Sequence, residues 1–167
     1  MRIIIVLLSV LLMQSALAQQ PIAYWAQNNN TLPAGGNGFT PQSFPQPADE
    51  GSGQLTLQNF NQTLTSAGAY SFVQSFAGTT LNSLPGYIAG GSLSLQGATN
   101  NSNNGASIVL AVSTTGYQDI QLSYAVQSTA TGFNQRLLSW SVNGVDFVEF
   151  GRDQQQNTSF SLRTYDL

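Results

Sequence analysis

The sequence predicts an all-β fold, an antiparallel β-sandwich preceded by a cleaved signal peptide, and three observations carry that reading. From Gln54 onward, short runs of alternating apolar and polar residues are separated by Gly, Asn and Ser clusters, the period of two that marks half-buried strands. No window beyond the first residues sustains a helical period. Cysteine is absent, so an exported chain of this size relies on packing and hydrogen bonding rather than on covalent staples.

The amino end comes first. Met1 and Arg2 precede an apolar stretch from Ile3 to Met13, and small residues at Ala16 and Ala18 stand before Gln19-Gln20-Pro21. A positive start, an apolar core and small side chains at the peptidase subsites define a secretory leader, with cleavage expected after Ala18. The apolar run is too short to span a bilayer, and no later segment is long or apolar enough to do so. Removal of residues 1–18 leaves about 150 residues, enough for one hydrophobic core.

Residues 19–53 divide into a first strand at Ile22-Ala23-Tyr24-Trp25 and a long segment from Gln27 to Gly53. That segment is rich in Asn, Pro and Gly and is expected to be an irregular loop, pinned to the body by Phe39 and Phe44. The sandwich body is expected over 54–167. Leu55 and Leu57 alternate with polar neighbours, as do Leu93 and Leu95. The run from Ser107 to Val112 is continuously apolar enough for a strand buried on both faces. Ile120, Leu122, Tyr124 and Val126 take one face of a further strand. Asn143-Gly144 predicts a two-residue turn of type I′, with Val142 opposite Val145 and a buried Trp140 opposite Phe147. Phe160 to Thr164 alternates again, and the stop at Leu167 suggests a chain truncated at its carboxyl end.

The chemistry that these residues permit is narrow. The chain contains no His, Cys or Lys, which removes Ser-His-Asp, Cys-His and Ser-Lys machinery, Schiff bases, and zinc sites of imidazole or thiolate. Seven acids remain, and Asp146 and Glu149 lie three apart on one expected strand, hence on opposite faces unless a bulge intervenes. Asp49 and Glu50 fall in the Asn/Pro/Gly-rich loop. No catalytic residue is therefore assigned. Once Arg2 leaves with the leader, Arg136, Arg152 and Arg163 face seven acids, so nucleic acid is not an expected partner. No organic cofactor is expected. Calcium is the ion whose oxygen ligands the composition supplies, with Gly151-Arg152-Asp153 and Asn100 to Asn104 as the places to look.

Sugar binding asks for an exposed ring beside polar groups, because pyranose C–H faces stack on aromatic faces while hydroxyls seek amides and carboxylates. The candidates are Tyr117 beside Asp119, Tyr87 and Tyr70. Trp25 and Trp140 are assigned to the core from their strand positions.

Four stretches carry a family likeness: Gly78-Thr79-Thr80-Leu81-Asn82, Ser113 to Ile120, Thr131-Gly132-Phe133-Asn134 and Ser139 to Phe147. Through them the chain resembles the N-terminal β-sandwich domain of bacterial secreted proteins, many with a C-terminal Pro-Glu-Pro sorting tail and some joined to extracellular nuclease modules. The resemblance covers most of Ile22 to Leu167 and implies a jelly-roll-like sandwich, export, and display at the surface or in the matrix. It brings no catalytic residues, and no sorting tail is found in the chain. The expected role is a secreted, non-catalytic module that binds polysaccharide or another cell-surface component or mediates adhesion. The alternative is an accessory domain of a larger secreted hydrolase whose catalytic part lies beyond Leu167.

Overall fold

The structure, a computed structural model, describes residues 20–27, 38–154 and 156–167. The expected leader lies outside the described residues, as does the stretch 28–37. Eleven strands are described: β1 (Ala23–Tyr24), β2 (Gln46–Pro47), β3 (Glu50–Gly51), β4 (Gly53–Gln58), β5 (Val73–Ala77), β6 (Gly91–Leu95), β7 (Ser107–Val112), β8 (Gln121–Val126), β9 (Arg136–Trp140), β10 (Val148–Asp153) and β11 (Ser161–Asp166). The protein is all-β. Among the described residues helical geometry is confined to the 3₁₀ turns Pro41–Ser43 and Thr99–Asn101, and no helix is long and apolar enough to cross a membrane.

All strand pairs are antiparallel. They form a three-stranded sheet in the order β2-β4-β7 and the pairs β1-β3, β5-β6, β8-β11 and β9-β10. Long connections separate several partners. The ladder between β5 and β6, for example, ends where the Gly78 N–H meets the Gly90 carbonyl at 2.9 Å, at the base of a thirteen-residue connection that carries Tyr87.

Alternation explains the main core. Val73 and Ser75 on β5 face Leu95 and Leu93 on β6, because residues two apart on a strand share a face. Val73 joins Phe39, Phe60 and Tyr70 in a buried cluster, against which Phe44, Leu57 of β4, Leu93, Leu95 and Ala106 pack. The three-stranded sheet and the β5-β6 pair thus close on one core. Phe39 and Phe44 pin their segment as expected, with ring centroids 5.5 Å apart. Asn103 is buried beside this core and ties distant segments together. Its Oδ1 accepts the Asn61 N–H at 2.6 Å, and its Nδ2 donates to the Gln96 carbonyl at 2.7 Å.

A second joint holds β9-β10 against β8-β11, and it is ionic. The Asp153 carboxylate, only 2% exposed, accepts from Arg136 on the neighbouring strand at 2.9 Å and from Arg163 on β11 at 3.0 Å. Tyr165 of β11 stacks on Tyr124 of β8 at 6.2 Å and meets Phe150 of β10 edge-on at 6.1 Å. The register of β10 shifts between Glu149 and Gly151, leaving Phe150 as the extra residue of a bulge. This bulge lets Phe150 and Asp153, three apart, both reach β11. It also lets the Glu149 carboxylate meet the Arg152 guanidinium on the solvent side.

Several expectations are corrected. The segment from Gln27 to Gly53 is not wholly irregular, since β2 and β3 form within it by pairing with β4 and β1. Strand β7 is not buried on both faces: it pairs only with β4, and five of its six residues are exposed. Trp140 pairs with Val148 rather than Phe147 and is 47% exposed. The Asn143-Gly144 turn widens into a loop from Ser141 to Phe147 because side chains capture the backbone. Ser141 Oγ accepts from the Asn143 and Gly144 N–H groups, and Asn143 Oδ1 accepts from those of Val145 and Asp146. These local bonds compete with a tight hairpin turn. Asp146 therefore lies in the loop rather than on β10, and Gly151-Arg152-Asp153, a place to look for calcium, belongs to strand β10.

Candidate functional site

The site is best built from Tyr87, which the sequence singled out, and from two residues that it did not. Leu84-Pro85-Gly86-Tyr87 is a turn closed by the Tyr87 N–H on the Leu84 carbonyl at 3.1 Å, with Gly86 at a φ of 92°. Proline at the second position and a positive-φ glycine at the third suit a type II turn. This turn projects Tyr87 onto the β1-β3 pair, where Tyr24 and Glu50 are direct cross-strand partners and so share a face.

The Tyr87 hydroxyl donates to Glu50 Oε1 at 2.8 Å. Its ring meets that of Tyr24 edge-on, with centroids 5.0 Å apart and planes at 72°. Asp49, next to Glu50, is fixed from two sides: its N–H donates to the Tyr24 carbonyl at 2.8 Å, and its Oδ2 accepts the Ala26 N–H at 2.8 Å. The hydrogen bond to Glu50 pushes the Tyr87 phenol up to about 12, helped by burial and by the neighbouring negative charges. Burial also raises the Tyr24 phenol, a backbone hydrogen bond with Leu84 opposing it. Both tyrosines stay neutral donors across the physiological range, while Glu50 keeps a second carboxylate oxygen for a further donor.

Tyr117 and Asp119 lie elsewhere, on the connection between β7 and β8. Thr114-Thr115-Gly116-Tyr117 repeats the arrangement at Tyr87: the Tyr117 N–H reaches the Thr114 carbonyl at 3.1 Å, and Gly116 has a φ of 84°. The Tyr117 ring is 49% exposed, and Asp119 is exposed with a φ of 52°. Tyr70 is placed differently again. It is buried in the main core, with its hydroxyl donating to Gln62 Oε1 at 3.2 Å, and it borders a cleft of about 220 Å³ that Pro41 and Pro45 also line. The structure thus leaves Tyr87, Tyr117 and Tyr70 in three separate surroundings.

Two of the side chains at the calcium positions are otherwise engaged. Asp153 is enclosed by two guanidinium groups, which compete with a cation for the same oxygens. Asn103 spends its side chain on Asn61 and Gln96. Among the described residues no group of three or more acidic side chains converges on a point where an ion would sit.

Tyr24 escaped sequence reasoning because Tyr87 lies far from it along the chain, and Glu50 because it was assigned to a loop. The signal that finds them is the alternation of Ile22 to Trp25 combined with a Pro-Gly-Tyr turn. What the fold and this surface define is an antiparallel β protein that carries tyrosines on glycine turns. No family model, curated protein or solved structure matches the chain.

Proposed function

We propose that this chain is an exported, non-catalytic β-sandwich module, jelly-roll-like in topology, that binds neutral polysaccharide at the cell surface or in the matrix. The observation that carries the reading is the Tyr24–Tyr87–Glu50 cluster. Two ring systems held edge-to-face stand beside an exposed carboxylate that has already fixed one phenol at 2.8 Å. A pyranose ring stacks its C–H face on the Tyr87 ring, and its hydroxyls donate to Glu50 and to the Tyr87 oxygen. The turn and the ladder hold these groups before the ligand arrives, which lowers the ordering cost of binding.

Charge favours a neutral glycan. The chain carries a formal net charge of −3 and a pI near 4.3, and Asp49 stands beside Glu50, so a polyanionic sugar meets repulsion at the site. Export is supported by the tripartite leader and by a neutral polar surface rich in Asn, Gln, Ser and Thr.

Affinity electrophoresis of the purified exported chain in gels containing mannan, a mixed-linkage glucan or alginate tests the reading. One of the neutral glycans is expected to retard the chain and alginate is not. Tyr87→Ala should weaken retention about tenfold, close to 1.4 kcal/mol, while Tyr117→Ala leaves it unchanged. No retardation by either neutral glycan, or equal losses in the two variants, would overturn it.

A further inference from the structure

We propose that the outer edge of β7 is a self-association site, occupied by β7 of a second copy of this chain. The proposal rests on the strand and not on the tyrosine cluster. Strand β7 is six residues long and pairs on one side only, with β4. Among the described residues, none of its backbone groups bonds outside that ladder. Its sequence, Ser-Ile-Val-Leu-Ala-Val, contains no charge and no proline. An open edge of this kind is a template for strand addition, and natural sheets usually guard it with charge, proline or a covering side chain.

Several other edges in this molecule are guarded, and the two strands of the β5-β6 pair, though equally free of charge and proline, are shorter at five residues each. Strand β2 is two residues long and ends on Pro47. Strand β10 carries Glu149, Arg152 and Asp153, and β11 carries Arg163 and Asp166. On β8, the Asn82 side chain occupies the Ser123 carbonyl at 3.1 Å. Six-residue β7 has none of these devices.

The face of β7 points to the same occupant. Ile108 and Leu110 lie opposite Leu57 and Leu55 of β4, with Val112 opposite Gly53, so all share one apolar face. The three β7 side chains are 44%, 39% and 40% exposed. An antiparallel β7-β7 ladder with Leu110 opposite Leu110 of the second copy sets Ile108 beside Val112 and Val109 beside Ala111. Ile108, Leu110 and Val112 of both copies then stay on one continuous face, whereas a slip of one residue would break that match. Two-fold symmetry closes the contact at a dimer, and the three-stranded sheet becomes one of six strands. An acidic chain repels its copies over most of its surface, but an edge without charge adds no repulsion of its own. A six-residue edge falls short of a standard protein interface of about 800 Å² per partner, so the dimer is concentration-dependent.

Sedimentation velocity of the exported chain over about a hundredfold range of concentration should show a monomer converting to a dimer. Ala111→Lys adds a charge at an exposed position of the edge and should abolish the conversion without changing the circular dichroism spectrum. Because the chain has no cysteine, Leu110→Cys carries a lone thiol, and antiparallel partners about 4.5–5.5 Å apart at Cα lie within disulfide reach. Mild oxidation should link this variant at least tenfold faster than a Thr115→Cys control. A monomer at every concentration, an Ala111→Lys chain that still dimerises, or equal linking of the two cysteine variants would overturn the proposal. So would a chain that remains monomeric while its β7 edge takes up an unrelated β-strand peptide.

Discussion

Arg163 Nε on β11 donates to Asp153 Oδ2 on β10 at 3.0 Å, bridging two strand pairs that share no ladder. The same oxygen accepts Arg136 Nη2 at 2.9 Å, so one carboxylate balances two guanidinium groups whose side chains are mostly buried. Replacing it by Asn leaves both cations beside a neutral amide. Breaking a buried pair by removing one partner costs about 3–5 kcal/mol, and Asp153→Asn is expected to lower unfolding free energy in urea by about 3 kcal/mol. Replacing Asp153, Arg136 and Arg163 together with apolar residues should cost less than the single change. A single-variant loss below about 1 kcal/mol would place the bridge among ordinary surface pairs.

Phe39 gives the corresponding test of the main core. Its side chain is essentially buried, and its carbonyl accepts the Tyr70 N–H at 2.8 Å. Truncation removes the ring and leaves a cavity that the cluster fills only in part. Phe39→Ala should cost about 3–5 kcal/mol in a denaturant titration, whereas Phe39→Leu should cost less than half of that. Equal stability of Phe39→Ala and the parent would show that this segment does not contribute to the core.

Spectrophotometric titration of the phenols tests the Tyr87–Glu50 contact. One phenol should ionise near 12, where Tyr87 is pushed by its hydrogen bond to Glu50, and Tyr87→Phe should remove that step. Glu50→Gln should move it down toward 10.0, the ordinary value. The sign for stability follows from linkage. The folded state holds this proton more tightly than the unfolded one, so the contribution is complete below pH 10.0 and is lost as the pH rises toward about 12. A Glu50→Gln curve identical to the parent's would remove the contact.

Tryptophan emission tests the position of the β9-β10 loop. Trp25 is half-buried and donates Nε1–H to the Gln46 carbonyl at 3.1 Å, while Trp140 is 47% exposed beside a loop whose Val142 is 88% exposed. Trp140→Phe should remove the red-shifted, acrylamide-quenchable part of the emission and leave stability almost unchanged. A stability loss typical of a core aromatic, about 3 kcal/mol, would restore the buried assignment.

Alternation was a good guide wherever a strand kept its period. Ile120 to Val126 marked β8, Leu55 and Leu57 marked β4, and the limits of Ser107 to Val112 coincide with those of β7. Burial was harder to read, because apolar content in β7 does not reveal whether a neighbour covers it. The β9-β10 register was misread at Asn143, where side-chain bonds displaced the turn that the dipeptide favours. Of the site, Tyr87 was legible from its composition and turn. Tyr24 and Glu50 were not, since their closeness depends on a two-residue ladder between segments that carry no strong period.

The bulge at Phe150 has a consequence for the length of the chain. Strand β10 uses one residue more than β9 to cover the span from the Trp140–Val148 pair to the Arg136–Asp153 pair. It therefore holds a spare residue. Deletion of Gly151 would let β10 run as a regular strand with Phe150 opposite Leu138 and Asp153 still opposite Arg136, so both would go on facing β11. Strand β9 holds no such spare. Loss of Leu137 would turn Arg136 to the opposite side and strand the Asp153 carboxylate, making one arm of the hairpin tolerant of a shortening that the other cannot absorb.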